Sequence, residues 1–326
     1  MGNSSIGREN YMRIGILGTG NIARILAMTI KKVKVLELYA VSSRNIFRAK
    51  AFARYFNIPK AYGSYEEMVV DEDIELVYIA TPHSHHFEHM KLCISHKKAV
   101  LCEKAFTSCF EEAEEIKRLA TKNKIYVAEA IWTRYMPSRH IINDIISSEV
   151  IGKISMVTVN LSYDVDEVER IQQPELAGGA LLDLGVYGLN FITMHCGKDI
   201  EKISVTATKT ETGVDGKECI VVVFKNGLMA VSIHGIYGRS DRCGVFYGEK
   251  GYIVVENINN PSSINIFDDS DKLIKHIDMP KQISGYEYEI LETVNCIKNG
   301  LFESKSMPLD ESVYIMKLIS SIKSKF

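Results

Sequence analysis

Ile14-Gly15-Ile16-Leu17-Gly18-Thr19-Gly20-Asn21-Ile22-Ala23 is the stretch that decides the fold. Uncharged residues suited to a strand buried on both faces run directly into the pattern G-x-G-x-x-A. The first glycine permits a tight turn and the second lets backbone approach a pyrophosphate. The small Ala23 lets the following helix pack closely on the strand. The start of that helix then offers free amides and a positive dipole end to phosphate oxygens. Gly18, Thr19, Gly20, Asn21 and Ile22 are therefore the expected phosphate cradle of a dinucleotide-binding domain.

Working outward, short apolar runs recur at Leu36 to Val41, Leu76 to Ala80, Val100 to Cys102 and Ile125 to Ala128, separated by amphipathic stretches. Buried strands alternating with helices indicate an open, doubly wound parallel sheet over residues 11–131. Ser64 with Glu67 and Ser108 with Glu111 read as capping boxes. After Trp132 the pattern changes. A helix over Ser138 to Ser147 leads into a strand over Ile154 to Tyr163, and a glycine-rich helical segment runs from Gly178 to Cys196. Strands follow at Ile203 to Thr208, Cys219 to Phe224, Leu228 to Ile236, Val245 to Tyr247, Tyr252 to Val255, Ile264 to Phe267 and Leu273 to Ile277. Asp215-Gly216, Asn226-Gly227 and Lys250-Gly251 are read as hairpin turns between them. Residues 132–326 thus form an α+β domain with a large, mostly antiparallel open sheet. Helices around Tyr286 to Lys298 and Asp310 to Lys323 close it, the last placed back against the first domain. Residues 1–10 read as a loose arm.

At 326 residues the chain has room for about two domains. Its 39 basic and 41 acidic residues leave a net charge of -2, which points away from nucleic-acid and membrane-surface partners. The seven cysteines are irregularly spaced with no Cys-x-x-Cys pair, as expected in a reducing cytoplasm. Met1 to Asn10 contains no apolar targeting core, and no run approaches 18 apolar residues, so a cytoplasmic protein is expected.

The end of the second strand selects between dinucleotides. An NAD-specific protein usually has a carboxylate there to hold the ribose hydroxyls, whereas this chain has Ser42-Ser43-Arg44-Asn45. The Ser43 hydroxyl and the Arg44 guanidinium suit a 2′-phosphate, and Arg44 can also lie against the adenine. NADP(H) is the expected cofactor, ahead of NAD(H). Lys104 follows the strand Val100 to Cys102 at the carboxyl edge of the sheet, where open α/β folds place ligands. Asp183 and Tyr187 are four apart, hence neighbours on one helical face.

Thr81-Pro82-His83-Ser84-His85-His86, Glu103-Lys104-Ala105, Trp132-Thr133-Arg134-Tyr135-Met136-Pro137 and Gly178-Gly179-Ala180-Leu181-Leu182-Asp183-Leu184-Gly185-Val186-Tyr187 stand in this order. Together they resemble the glucose-fructose oxidoreductase and inositol dehydrogenase family (Gfo/Idh/MocA), in its tyrosine-bearing branch. The resemblance covers nearly the whole chain. It implies a Rossmann domain, a homo-oligomer built through the second sheet, and hydride transfer between NADP and a secondary alcohol or carbonyl. The implied substrate is a small polyol, sugar or vicinal diol. Tyr187 would be the general acid and base, brought below the ordinary phenol pKa near 10 by the Lys104 charge, with Asp183 binding substrate or holding the pair in register. Thr81, Pro82 and His86 would lie along the nicotinamide half of the cofactor, and Glu103 would orient Lys104 or the cofactor. Trp132, Arg134 and Tyr163 are candidate substrate contacts. The family's proline after the lysine, commonly cis, is Ala105 here.

His85-His86-Phe87-Glu88-His89 also matches the zinc pattern H-x-x-E-H, but its position after a strand of a dinucleotide-binding domain favours no metal. Two alternatives remain open at this level. One keeps the fold with an inositol, nucleotide sugar or tetrapyrrole as substrate, for which Arg170, Arg239 and Arg242 are suggestive. The other is a non-catalytic NADP-binding regulator.

Overall fold

The glycine-rich turn leads from β1 (Met12–Leu17) into α1 (Asn21–Ile30) in a computed structural model that describes residues 11–326. The expected arm, residues 1–10, lies outside the described residues. The first domain continues with β2 (Leu36–Ser42), α2 (Ile46–Phe56), β3 (Lys60–Tyr62), α3 (Tyr65–Val69), β4 (Leu76–Ile79), α4 (His83–Ser95), β5 (Ala99–Glu103), α5 (Phe110–Asn123) and β6 (Val127–Ala130). All six strands are parallel, in the order β3-β2-β1-β4-β5-β6. The order reverses between β1 and β4, so a crevice opens at their carboxyl ends. Burial of Ile14, Ile16, Val41, Val77, Ile79, Val100 and Leu101 explains why these strands read as continuous apolar runs. Strand β3 escaped the sequence reading because its three residues are only half-buried and carry no apolar run.

The Ser64/Glu67 capping box forms, with Glu67 N donating to Ser64 Oγ at 3.1 Å, while the Glu67 carboxylate accepts from Gly63 N instead of Ser64 N. The Ser108/Glu111 box does not form. Helix α5 begins one residue later, and the Ser108 amide is taken by Glu112 Oε2 at 2.9 Å.

The second domain comprises α6 (Pro137–Ser147), β7 (Ile154–Ser162), α7 (Glu169–Gln172), α8 (Val186–Cys196), β8 (Ile200–Lys209), β9 (Asp215–Phe224), β10 (Met229–Gly235), β11 (Gly244–Gly248), β12 (Gly251–Val255), β13 (Ser263–Asp268), β14 (Leu273–Asp278), α9 (Tyr286–Lys298) and α10 (Leu309–Lys323). Its eight strands run β14-β13-β12-β11-β7-β10-β9-β8, antiparallel except for the pair β7/β10. Asn226-Gly227 turns between β9 and β10 as expected. Asp215-Gly216 does not turn; it begins β9, and the buried Asp215 carboxylate accepts from Leu181 N at 2.5 Å. Helix α10 returns to the first domain, where Ser320 Oγ accepts from Phe110 N at 3.1 Å.

The glycine-rich segment is helical, but Leu181–Gly185 forms a π-turn ahead of α8. Its glycines serve packing on the sheet below. A Cβ at Gly188 would collide with His234 Nε2 and Ser232 Oγ of β10, so the helix lies closer to the strand than any other residue would permit. The run 174–196 is also long and apolar enough to cross a membrane, yet 89% of its most apolar window is buried within the protein.

Candidate active site at the domain seam

At the turn after β1, Gly18 takes φ +106°, and a Cβ there would stand 2.8 Å from the Ala80 carbonyl. At Gly20 a Cβ would meet nothing within 4 Å, so the space above the turn is open. Gly20 caps α1 without a side-chain acceptor, and the first turn holds no acidic residue. Amides lacking a side-chain partner beside open space fit a pyrophosphate. At the end of β2, Ser43 Oγ accepts from Asn45 N at 3.3 Å, and Asn45 rather than Ser43 caps α2. Arg44 is exposed and lies beside the Tyr65 hydroxyl, with no carboxylate at the strand end.

Beyond β4, Thr81 Oγ1 pairs with His89 Nδ1 at 2.9 Å, and Pro82 caps α4. His86 is fully buried, with Nε2 2.8 Å from Thr81 O and Nδ1 2.8 Å from Ala105 O. The implied contact of His86 with cofactor is therefore corrected to a tie behind the site, joining the segments that carry Thr81 and Lys104. Burial holds its pKa down at about 4, so the neutral ring donates to one carbonyl at a time. His85 pairs with Ser84 Oγ, and no group of three or more potential metal ligands forms among the described residues.

Lys104 follows β5. Its peptide with Ala105 is cis, the isomer expected of the family's proline at that position. Glu103 is buried: one carboxylate oxygen accepts from the Tyr78 hydroxyl and the other from Lys104 N at 3.2 Å. It orients the lysine's backbone and not its ammonium. Burial raises its pKa to about 7, against the opposing Tyr78 hydrogen bond and Lys104 charge. On the next strand, Glu129 Oε1 accepts from Phe106 N at 3.1 Å and so secures the turn after the lysine. Sequence reasoning did not single out Glu129; the only signal was a carboxylate inside an otherwise apolar strand.

The Lys104 ammonium crosses to the second domain, donating to Asp183 O at 2.8 Å and Asp183 Oδ1 at 3.1 Å. It sits 5.0 Å from the centre of the Tyr187 ring. The π-turn and α8 thus bring Lys104, Asp183 and Tyr187 together, as the spacing anticipated for the latter two. Burial would raise the Asp183 pKa, but the charges of Lys104 and Arg170 outweigh it and hold the carboxyl well below its usual range. For Tyr187 the expectation is corrected: burial, reinforced by Tyr286 and Glu103, pushes the phenol well above its ordinary value. Lys104 is already engaged by Asp183, so the Tyr187 phenol is held neutral.

Two more residues complete this cluster, His83 from the Thr-Pro segment and Arg170, which the sequence marked only for the nucleotide-sugar alternative. His83 Nδ1 donates to Ala177 O at 3.1 Å and presents Nε2 4.0 Å from Asp183 Oδ1; burial and Lys104 lower its pKa to about 3. Arg170 Nη2 donates to Asp183 Oδ1 at 3.0 Å. Trp132 stacks on Tyr286 with ring centres 4.2 Å apart and donates from Nε1 to Asn259 Oδ1 at 3.0 Å. Asn259 in turn reaches the Tyr163 hydroxyl at 3.4 Å, so Trp132 and Tyr163 belong to one connected aromatic wall. No local pattern marked Tyr286 or Asn259, which lie more than 120 residues beyond Trp132. Arg134 does not join them. Its buried guanidinium is taken by Asn190 Oδ1 at 2.5 Å, Thr193 Oγ1 at 3.2 Å and Glu311 at 3.2 Å. The expected substrate contact is therefore corrected to a core ion pair that fixes α8 against α10.

Residues 12–130 match the oxidoreductase family with an NAD-binding Rossmann fold, and residues 141–254 match the Gfo/Idh/MocA C-terminal domain. The chain is 31% identical to trans-1,2-dihydrobenzene-1,2-diol dehydrogenase of Sus scrofa over 322 residues, covering 96% of each chain. It is 29% identical to that of Mus musculus over 325 residues, again 96% of each. Its fold matches a 3-ketoreductase from Actinomadura kijaniata in complex with NADP and TDP-benzene, with TM-score 0.89 at 20% identity over 97% and 98% of the two chains. It also matches levoglucosan dehydrogenase in complex with NADH and levoglucosan, with TM-score 0.85 at 16% identity over 97% and 96%. With both domains matched and relatives spanning nearly its whole length, the chain belongs to the Gfo/Idh/MocA family of oxidoreductases.

Proposed function

We propose that this chain is an NADP-preferring oxidoreductase that interconverts a secondary alcohol and its carbonyl in a small sugar or vicinal diol. The observation that carries the reading is the Lys104 ammonium held by Asp183 beside the Tyr187 ring, at the carboxyl edge of a parallel sheet. A bound nicotinamide dinucleotide would supply or accept the hydride. In the reducing direction Tyr187 donates its phenolic proton to the developing alkoxide, a task suited to a phenol kept neutral by burial. The phenolate left behind is offset by the nearby Lys104 charge, and Asp183 keeps that charge in place. In the oxidising direction the same hydroxyl takes the substrate proton back.

NADP preference is supported by the exposed Arg44 and the lack of a carboxylate at the end of β2. Exposed Met156, Met229 and Ile233 on neighbouring strands of the second sheet support self-association through that face. All seven cysteines are unpaired, which fits a reducing, cytoplasmic setting. Tyr187→Phe tests the mechanism. Turnover is expected to fall about 10²-fold or more with dinucleotide affinity kept, in line with the usual size of acid–base contributions. Near-normal turnover in the variant refutes the role of Tyr187.

A further inference from the structure

Resting on the oxidoreductase reading above, we propose that Arg170 selects substrates carrying an anionic oxygen group, a carboxylate or phosphate, close to the reacting carbon. Arg170 sits on the short α7, which follows Tyr163 and precedes the Asp183 turn along the chain. It spends one donor on Asp183 Oδ1, an oxygen already taken by the Lys104 ammonium, and its other donors have no acceptor among the described residues. The Asp183 side chain is 9% exposed and that of Arg170 is 42% exposed. The guanidinium therefore lies beside Asp183, largely open to solvent and held by a single ion pair.

The charges around it do not cancel. Lys104 and Arg170 are both cationic against the single Asp183 carboxylate, and His83 is kept neutral within the same contact shell. Glu103, the other carboxyl nearby, is turned to Tyr78 and the Lys104 backbone. While Glu103 keeps its proton, one positive charge is left over at the site, and it is the accessible one. At the other end of the aromatic wall, the Arg242 guanidinium lies 5.6 Å from the Tyr163 ring centre, and its Nε is buried without an acceptor. A neutral sugar would leave the remaining donors of Arg170 and the buried Nε of Arg242 without an anionic partner. A planar carboxylate or a phosphate fits the paired donors of Arg170.

The test uses the full-length chain with NADP(H) and three substrates of one ring type: a neutral hexose, the matching uronate and the matching hexose phosphate. Wild type is expected to favour an anionic member at least tenfold in kcat/KM, and whichever anion wins identifies the group. In Arg170→Gln the anionic-to-neutral ratio should fall at least tenfold, chiefly through KM, and Arg170→Lys should restore part of it. Equal losses on neutral and anionic substrates assign Arg170 a purely structural role and overturn the proposal, as does a wild-type preference for the neutral sugar. Calorimetric titration of the NADP-loaded protein with the same three compounds reads the preference independently of turnover. If nothing in the set is turned over but the anions still bind more tightly through Arg170, the oxidoreductase reading fails and the anion site stands. If turnover occurs without anion preference, the reverse holds.

Discussion

Replacing Glu129 by Gln should change how the stability of this protein responds to pH. The carboxyl is fully buried on β6, with one oxygen accepting from Phe106 N and the other without a partner. Burial raises its pKa from 4.5 to about 7, against the opposing Arg134 charge. The folded state therefore holds this proton more tightly than the unfolded chain, and the contribution has a definite sign. It is fully present below about pH 4.5, declines as pH rises, and is exhausted once pH passes about 7. A shift of about 2.5 units at 1.36 kcal/mol each amounts to roughly 3 kcal/mol across that window. Glutamine keeps an acceptor for Phe106 N and removes the titration. Urea or thermal unfolding of wild type and Glu129→Gln at half-unit steps from pH 4.5 to 8 should give curves that diverge as pH rises, with the variant gaining by up to roughly 3 kcal/mol. Parallel curves would falsify the assignment of a buried, proton-binding carboxyl at this position.

Gly188→Ala should destabilise the protein by about 1–3 kcal/mol, because the new methyl meets His234 and Ser232 across the helix–sheet seam; unfolding at one pH reads it, and an unchanged midpoint would show that α8 can lift without cost. Arg134→Met should cost about 1–3 kcal/mol, since the buried Asn190 Oδ1 loses its donor while Glu311 keeps Lys198. A large loss of activity in that variant with normal stability would instead return Arg134 to the substrate site. Arg44→Ala should weaken NADPH binding by about tenfold or more while leaving NADH nearly unaffected, the equivalent of one charge-assisted contact of roughly 1.5–3 kcal/mol; parallel titrations decide it, and equal losses for both dinucleotides would refute 2′-phosphate recognition.

The first domain was legible because its strands are buried on both faces and its turn chemistry is local: Gly18 and Gly20 declare themselves within a few residues. The second sheet was legible strand by strand from its alternation, but not in its pairing. The β7/β10 contact joins residues some seventy positions apart, and Asp215-Gly216 imitates a turn while serving a buried carboxylate. Lys104, Asp183 and Tyr187 could be named from motif and spacing, whereas Tyr187's protonation could not. It depends on how deeply the phenol is buried and on Asp183 having claimed the lysine first. Arg134 and His86 misled for the same physical reason. A polar side chain looks functional in a sequence until its partners, here Asn190, Thr193 and Glu311 for one and two carbonyls for the other, are brought from distant segments.

The glycine seam beneath α8 divides ownership of the chemistry. Tyr187 and Asp183 are mounted on the second sheet through Gly188, while Lys104 rides on a strand end of the first. On the proposed mechanism the proton donor and the cation that steadies it belong to different halves, so activity would measure the registration of two bodies rather than the integrity of either. On that mechanism, a perturbation that lets the domains drift by the length of one hydrogen bond would silence the enzyme while every strand and helix stayed where it was.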